Sequence, residues 1–324
     1  MNTILSTINS VREIRTFGHA SFMGLSACSA TFSPDSKYII SGKGNGEIKL
    51  WETASGREIR TLEGYRNELL SKDQKRGTTF SYGCGVYLAF SPSGEHIISS
   101  SSMDGTMKLW ETISGRAIKI LTGHKKGVLS AMFSPDGKYI VSGSNDETIK
   151  LWEAASGMEI YTLKGHLGTV FVAFSPDGKY IMSGSSDKAI KLWETTTGRE
   201  IYTFEGHEHK KGVRSVSFSP NGKCFASGSW DKNIKLWQAA NGKEIHTLKG
   251  HKDVIYSIAF SPDGKYIVSG SGDKTVKLWE TANGKETLTI KGHKGSVNSV
   301  AISHDGKYIV SSSNDQTIKL WEIQ

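Results

Sequence analysis

Residues 123–163 read GHKKGVLSAMFSPDGKYIVSGSNDETIKLWEAASGMEIYTL, and this unit sets the architecture of the whole chain. It contains four short runs rich in β-branched and aromatic residues, separated by the turn sequences SPDG, SND and ASG. This spacing predicts four consecutive antiparallel strands and shows no helical periodicity. A four-stranded sheet cannot bury both of its faces alone, so the unit needs neighbours of its own kind.

The chain of 324 residues repeats this unit seven times. The string (I/V/M)-K-L-W recurs with its tryptophan at positions 51, 110, 152, 193, 237, 279 and 321. All six prolines, at positions 34, 92, 135, 176, 220 and 262, lie in an S-P-x-(G/S) turn. Seven such units predict an all-β fold, a seven-bladed β-propeller of four-stranded antiparallel blades packed radially around a channel.

The pattern GH…FSPDGKYIVSGSxD…IKLW resembles the tryptophan-aspartate (WD, or WD40) repeat family of β-propellers over residues 11 to 324. One departure is that the Trp-Asp dipeptide of the family is Trp-Glu six times and Trp-Gln once. The close match among units three to seven resembles prokaryotic members. Family propellers close through an N-terminal strand, and residues 11–17 resemble the fourth-strand text at 200–204. We therefore expect this pairing to complete the last blade of a single domain spanning 1–324.

Histidine, serine, aspartate and tryptophan recur at fixed places in the units. Ser, His and Asp also form the catalytic triad of many hydrolases. Five equivalent copies argue against one strained nucleophile with an oxyanion hole, so we expect no enzyme activity. The family resemblance implies buried tetrads, in which Asp accepts from His and Ser bridges to the Trp indole. The implied tetrads are His124, Ser142, Asp146 and Trp152; His166, Ser183, Asp187 and Trp193; His207, Ser227, Asp231 and Trp237; His251, Ser269, Asp273 and Trp279; and His293, Ser311, Asp315 and Trp321.

The charge of the chain is basic, with 40 Lys and Arg against 32 Asp and Glu. A sequence pI near 9.2 raises nucleic acid as a ligand. However, thirteen basic residues recur at two places in the repeat, two residues before the tryptophan and just after the SPDG-type turn. This predicts a ring of charge and not a contiguous basic track with interleaved aromatics. The pattern disfavours nucleic acid.

No motif proposes a cofactor or a metal. Cys28, Cys84 and Cys224 are odd in number and far apart, which argues against disulfides and thiolate zinc sites. The first ten residues lack the pattern of a secretory signal, and no apolar run approaches the roughly 20 residues of a membrane span. We expect a cytoplasmic protein with free thiols and no membrane contact.

Binding residues are expected where the repeat is broken, because the repeated positions build the scaffold. The first such place is the long connection at 65–85, which carries Arg66, Lys75 and Arg76. A loop of this length is either functional or a tolerated insertion. Both alternatives stay open on the sequence alone.

The second place is unit five, where Trp230 precedes the tetrad aspartate and is not one of the repeated residues that build the scaffold. In the family this position lies on a rim around the channel. Arg214 and Trp230 belong to one blade and Tyr256 to the next, so we expect them to adjoin, as residue types enriched in binding hot spots. The alternative is that Trp230 packs flat on its own blade. Further rim candidates occupy equivalent positions in other units. Leu129 and Asn298 lie four residues before the end of the predicted first strand, and Asn145 and Asn314 lie at the position of Trp230.

The resemblance thus implies a non-catalytic scaffold or adaptor that binds a protein or peptide partner on the rim, a monomer alone or a subunit of a larger complex. An aromatic anchor beside basic residues suits an acidic partner. The alternative is a recognition subunit that holds an anionic polymer, either nucleic acid or a phosphorylated or acidic tail, for a separate enzyme. Steep salt dependence of binding would favour this alternative.

Units one and two depart from the tetrad pattern, and we predict that they form the less rigid part of the ring. In unit one Asn45 takes the place of the aspartate, which weakens a charge-assisted bond. In unit two Tyr65 takes the place of the histidine, beside Ser100, Asp104 and Trp110. Amide hydrogen exchange should show lower protection in these two blades than in blades three to seven. Uniform protection across the seven blades would contradict the prediction.

Overall fold

The computed structural model describes Ile8 and residues 10–18, 26–62, 64–65, 85–204 and 212–324. Every regular element in these ranges is a strand, and no helix there is long and apolar enough to cross a membrane. In chain order the strands are β1 (Val11–Gly18), β2 (Ala27–Phe32), β3 (Tyr38–Lys43), β4 (Ile48–Glu52), β5 (Glu58–Leu62), β6 (Val86–Phe90), β7 (His96–Ser101), β8 (Met107–Glu111), β9 (Ala117–Leu121), β10 (Val128–Phe133), β11 (Tyr139–Ser144), β12 (Ile149–Glu153), β13 (Glu159–Leu163), β14 (Val170–Phe174), β15 (Tyr180–Ser185), β16 (Ile190–Glu194), β17 (Glu200–Phe204), β18 (Val213–Phe218), β19 (Cys224–Ser229), β20 (Ile234–Gln238), β21 (Glu244–Leu248), β22 (Ile255–Phe260), β23 (Tyr266–Ser271), β24 (Val276–Glu280), β25 (Glu286–Ile290), β26 (Val297–Ile302), β27 (Tyr308–Ser313) and β28 (Thr317–Ile323).

These strands form seven four-stranded antiparallel sheets, which confirms the predicted seven-bladed propeller. Blades one to six are the consecutive groups β2–β5, β6–β9, β10–β13, β14–β17, β18–β21 and β22–β25. Blade seven has the order β1-β28-β27-β26, so the N-terminal strand supplies its outermost strand. The expected ring closure is confirmed, and it joins the two ends of the described chain in one sheet.

The core lies between adjacent blades. The first strands of successive blades contact one another in a closed ring, and the other strands follow outward. Each interface is a separate apolar cluster, which buries the faces that a lone sheet would expose. The cluster between blades three and four contains Val141, Ile149, Leu151, Leu163, Val170, Val172, Phe174, Ile181 and Trp193.

The SPDG sequence makes the same turn between the first and second strands of the blades. In blade three the Ser134 hydroxyl donates to the Asp136 carboxylate at 2.6 Å and accepts the Tyr139 N–H at 2.9 Å. Gly137 has φ +73°, a conformation that glycine adopts without a steric cost. The local sequence therefore fixes where the first strand ends and the second begins.

In each blade a serine hydroxyl on the second strand accepts a hydrogen bond from the tryptophan on the third strand. In blade three the Trp152 indole N–H donates to Ser142 Oγ at 2.9 Å, and the other blades repeat this bond with 2.8 Å distances. Ser142 Oγ lies 2.8 Å from His124 Nε2, and His124 Nδ1 lies 2.9 Å from Asp146 Oδ2. Blades four, six and seven contain the same complete chain at 2.7–2.9 Å.

The order of donation follows from the chemistry of these groups. The indole N–H only donates and an ionised carboxylate only accepts. Nδ1–H of the histidine must therefore donate to the aspartate, which leaves Nε2 to accept the serine hydroxyl proton. The serine oxygen then accepts the indole N–H. In a complete tetrad each of these side-chain groups is thus hydrogen-bonded, which is the condition under which a polar network can be buried.

Blades one and five contain the Ser–Trp part of the network. In blade five Trp237 donates to Ser227, and Asp231 accepts the Asn233 N–H at 2.8 Å. His207, the histidine assigned to this tetrad, lies outside the described residues. In blade one Trp51 donates to Ser41, and Asn45 accepts the Glu47 N–H at 3.0 Å.

In blade two the structure corrects the predicted tetrad serine. The Trp110 indole donates to Ser99 and not to Ser100. The turn after β7 is one residue longer than in the other blades, so counting back ten residues from the tryptophan selects the wrong serine. Tyr65 stands in for the histidine, with its hydroxyl 3.0 Å from the Ser99 carbonyl oxygen and 3.1 Å from Ser99 Oγ.

Burial and hydrogen bonding set the charge states of the complete tetrads. Burial lowers the pKa of His124 and His293 below 6.5, although their aspartates oppose the shift. Burial alone would raise the pKa of Asp146. Hydrogen bonds from Thr148, the Lys125 backbone N–H and His124 outweigh it and lower that pKa from 3.8 to about 2. In blades three and seven the network therefore combines a neutral histidine, His124 or His293, with an ionised aspartate at neutral pH.

We predict that adjacent serines in β7 differ sharply in their contribution to stability. Ser99→Ala leaves the Trp110 N–H unpaired and should lower the free energy of unfolding by about 1–3 kcal/mol. Ser100 is equally buried, but its hydroxyl has no hydrogen-bond partner among the described residues, so Ser100→Ala should change stability by less than about 0.5 kcal/mol. Urea unfolding of both variants measures this difference. Equal effects would contradict the corrected assignment.

We also predict that acid destabilises the fold in two steps. Histidines whose folded pKa is lowered contribute stability that is present above about pH 6.5 and is lost as the pH falls below it. Aspartates with a lowered pKa act in the same direction between about pH 4 and pH 2. Unfolding by urea at a series of pH values should show the first decline, and His124→Gln should flatten it.

The control for the acid prediction is His304→Gln, which changes an exposed histidine and should leave the pH profile as it is. A free energy of unfolding that stays constant or rises from pH 7.5 to 5.5 would contradict the neutral state of the buried histidines.

Candidate partner-binding site

One end of the propeller carries both the turns between the second and third strands and the connections between blades. Backbone bonds join the two sets of loops, such as Asn145 N to the Gly127 carbonyl at 2.9 Å and Trp230 N to the Gly212 carbonyl at 3.1 Å. Because these bonds repeat around the ring, the loops form one continuous surface, which we call the turn face. The candidate residues of unit five lie on it.

β-Bulges aim side chains on this face. In the first strands of five blades one residue falls out of the ladder, because two residues oppose one on the neighbouring strand. A bulge redirects the side chain of the extra residue, and bulges are frequent beside functional sites. The extra residues are Cys28, Leu129, Arg214, Tyr256 and Asn298.

The Arg214 guanidinium lies among three aromatic rings. Its Cζ is 4.9 Å from the ring centroid of Tyr256, 5.4 Å from that of Phe171 and 6.0 Å from that of Trp230. These are cation–π distances. The structure thus brings Arg214, Trp230 and Tyr256 together, with Phe171 as a fourth member, and we name the four residues the Arg214 cluster.

Trp230 differs from every other tryptophan of the chain. It is 37% exposed, whereas the seven tetrad tryptophans are 6% exposed or less. Its indole stands beside Arg214 and leaves more than a third of its surface open. Surface of this kind, with an aromatic ring next to an arginine, is what hot spots of protein interfaces contain.

Phe171 was missed by the sequence analysis because blade four lacks the bulge. Its first strand has five residues, and Phe171 pairs directly with Gly184. Counting four residues back from Phe174, as in the six-residue strands, gives Val170 instead. The sequence feature that could have identified Phe171 is an aromatic residue at the second position of a first strand that is one residue shorter than the others.

The other described rim candidates are buried or make contacts within the ring. Asn298 Nδ2 donates to Asn314 Oδ1 at 2.7 Å and to the Ala27 carbonyl of blade one at 2.8 Å. Asn145 Oδ1 accepts the Thr169 hydroxyl of the next blade at 2.9 Å. Leu129 is buried, with 6% of its surface exposed. Arg66, Lys75 and Arg76 lie outside the described residues, and their role stays a prediction.

The repeated lysines before the tryptophans are paired. Lys150 Nζ lies 2.8 Å from the Glu159 carboxylate and also donates to Thr162, and blades one, four, five, six and seven have an equivalent Lys–Glu pair at 2.6–2.9 Å. In blade two Lys108 instead donates to the Gly64 carbonyl at 2.9 Å. This part of the predicted ring of charge is therefore neutralised within the blades, which leaves less cationic surface for a nucleic acid.

The described residues contain no group of three or more His, Cys, Asp or Glu side chains placed to hold a metal ion. In the four complete tetrads the histidine and serine are buried and already bonded to each other. The histidine and serine side chains of these tetrads are thus engaged in the scaffold.

Comparison with known proteins agrees with this architecture. The family model described as "WD domain, G-beta repeat" matches seven segments, at residues 11–52, 77–111, 115–153, 157–194, 198–238, 242–280 and 284–322. The segments together cover most of the chain.

Curated relatives match over shorter stretches. A nuclear distribution protein nudF of Aspergillus niger is 30% identical over 33% of this chain and 25% of its own length. The human WD repeat and SOCS box-containing protein 1 is 28% identical over 34% and 22%, respectively. Transcription initiation factor TFIID subunit 5 of Caenorhabditis elegans is 27% identical over 41% and 24%. These relatives are eukaryotic and do not bear out the expected prokaryotic type.

Proposed function

This chain belongs to the WD40 family of β-propellers, and we propose that it is a non-catalytic scaffold that holds a protein or peptide partner on its turn face. Propellers of this family are in general interaction scaffolds and not enzymes. The observation that carries the proposal for this chain is the Arg214 cluster with its exposed Trp230. We place the binding site there.

The energetics of interfaces support this location. Binding energy concentrates in a few Trp, Tyr and Arg residues whose large side chains lose little entropy when they are covered. In the cluster the guanidinium holds the rings in place before a partner arrives, so less ordering remains to be done on binding. Trp230 also stands where the other blades carry Gly, Met, Asn or Ser, none of which offers comparable surface.

A subunit role is consistent with one relative, which by its name is a subunit of TFIID. The match spans 24% of that protein, so its partners are not transferred to this chain. We propose that the chain acts alone or within a larger complex and that it contacts no membrane. A cytoplasmic location stays a prediction.

The second candidate function is recognition of an anionic polymer for a separate enzyme. The net charge of +8 favours it, whereas the pairing of the repeated lysines with glutamates disfavours it. A polymer that displaces counterions would bind with a steep dependence on salt concentration. A partner anchored on aromatic rings would show a modest slope.

The test is affinity capture from the native lysate with wild-type protein and the double variant Trp230→Ala/Arg214→Ala, followed by mass spectrometry. Loss of two hot-spot residues should weaken the binding of a specific partner by at least about tenfold, while the melting temperature of the protein is unchanged. The matched control is Tyr180→Ala, which removes an aromatic ring of the same 37% exposure from the opposite end of a neighbouring blade.

A partner kept by Tyr180→Ala and lost by the double variant supports the site. If the double variant retains every partner, the site assignment is wrong, and the connection with Arg66, Lys75 and Arg76 becomes the next candidate.

A further inference from the structure

The guanidinium of Arg214 offers five N–H donors. None of its five N–H groups has a hydrogen bond or an ion pair among the described residues, and its contacts there are the three rings. An aromatic face attracts the charge of a guanidinium but does not satisfy its N–H groups in the way a carboxylate does. The rings thus hold a planar fork of donors whose best partner is a carboxylate bound through both oxygens.

Three lysines lie on the turn face of the blades that carry the Arg214 cluster. The residue that follows the tetrad aspartate is Lys188 in blade four, Lys232 in blade five and Lys274 in blade six, and all three are exposed. The cluster draws on the same blades, with Phe171 from blade four and Tyr256 from blade six. Blade five, which carries Arg214, is the middle one. We name these three residues the lysine arc.

The lysine arc occupies a strained backbone position. Lys188, Lys232 and Lys274 have φ of 81°, 75° and 70°, in the left-handed region that is sterically unfavourable for a residue with a Cβ atom. Blades one and two have Gly46 and Gly105 at this position. Backbone geometry therefore does not call for lysine here, and the recurrence of lysine on three adjacent blades points to a use of its charge.

The arc has limits. At the same turn position blade three has Glu147 and blade seven has Gln316, and Asp253 stands on the connection leading into blade six. The run of lysines thus covers three blades and ends in an acidic residue on one side and a neutral one on the other, while Asp253 lies within it, between blades five and six, with its carboxylate beside Gly272. A long polyanion would meet repulsion from Glu147 as well as from Asp253, whereas a short acidic segment centred on Arg214 meets Asp253 alone of the two.

We propose that blades four to six bind a short acidic peptide segment, with one carboxylate on the Arg214 fork and neighbouring carboxylates near Lys188, Lys232 and Lys274. This inference rests on the proposed function and names the class of partner. Trp230 and Tyr256 flank the fork and supply apolar contact for the stems of the acidic side chains.

Trp230 provides the readout, because the other seven tryptophans are buried. Acrylamide quenching of its fluorescence is measured on the full chain at low salt while end-blocked hexaglutamate is added. We expect the peptide to protect Trp230. Both Arg214→Gln and the variant Lys188→Gln/Lys232→Gln/Lys274→Gln should weaken binding at least about tenfold.

The matched control is Lys125→Gln/Lys126→Gln/Lys294→Gln, which removes the same charge from exposed lysines of the turn face outside the arc. It should weaken binding much less than the arc variant does. Equal weakening in the two triple variants would show a general charge effect and overturn the proposal, as would the absence of protection at millimolar peptide.

Other probes separate the sources of negative charge. Hexaglutamine and hexalysine should not protect Trp230. A phosphoserine peptide or a short thymidine oligonucleotide that binds about tenfold tighter than hexaglutamate would overturn the assignment to a carboxylate segment. If hexaglutamate fails while the capture experiment still loses a partner in the Trp230→Ala/Arg214→Ala variant, the proposed function stands and this inference alone is wrong.

Discussion

A serine hydroxyl held between a tryptophan and a histidine is the interaction on which this propeller depends. The indole–serine bond joins the second and third strands in all seven blades, and in the four blades whose histidine lies within the described residues the histidine and the aspartate extend it to the connection from the preceding blade. Every donor in this four-residue network finds an acceptor, so the polar groups can be buried at the same place in the blades that contain it. The result is a fixed turn at the end of these blades.

The turns between the second and third strands form the frame of the turn face. The repeated residues build each blade. A residue that departs from the repeat, such as Trp230, can therefore face solvent without being needed for the packing of the blade. The bulge that places Arg214 recurs at Leu129, Tyr256 and Asn298, yet the cluster forms around Arg214, where the neighbouring blades supply rings on both sides. Asn298 instead bonds Asn314 and blade one, which serves the ring itself.

The sequence predicted those features that repeat, because seven copies fix both the strand pattern and the register. It failed where one residue was gained or lost. An extra residue in the turn of blade two moved the tetrad serine from Ser100 to Ser99, and a missing bulge in blade four hid Phe171. The Lys150–Glu159 pair was also missed, because it depends on a bulge in β13 that counting cannot reveal.

The most direct test of this account is the tautomer of the tetrad histidines, observed by ¹⁵N-edited NMR of the imidazole rings at about pH 8. The direction of the hydrogen-bonded chain requires a proton on Nδ1 and a bare Nε2 in His124, His166, His251 and His293. Four slowly exchanging Nδ1–H signals are the predicted result. Protons on Nε2 would contradict it, because the serine could then no longer link the histidine to the tryptophan in the order described.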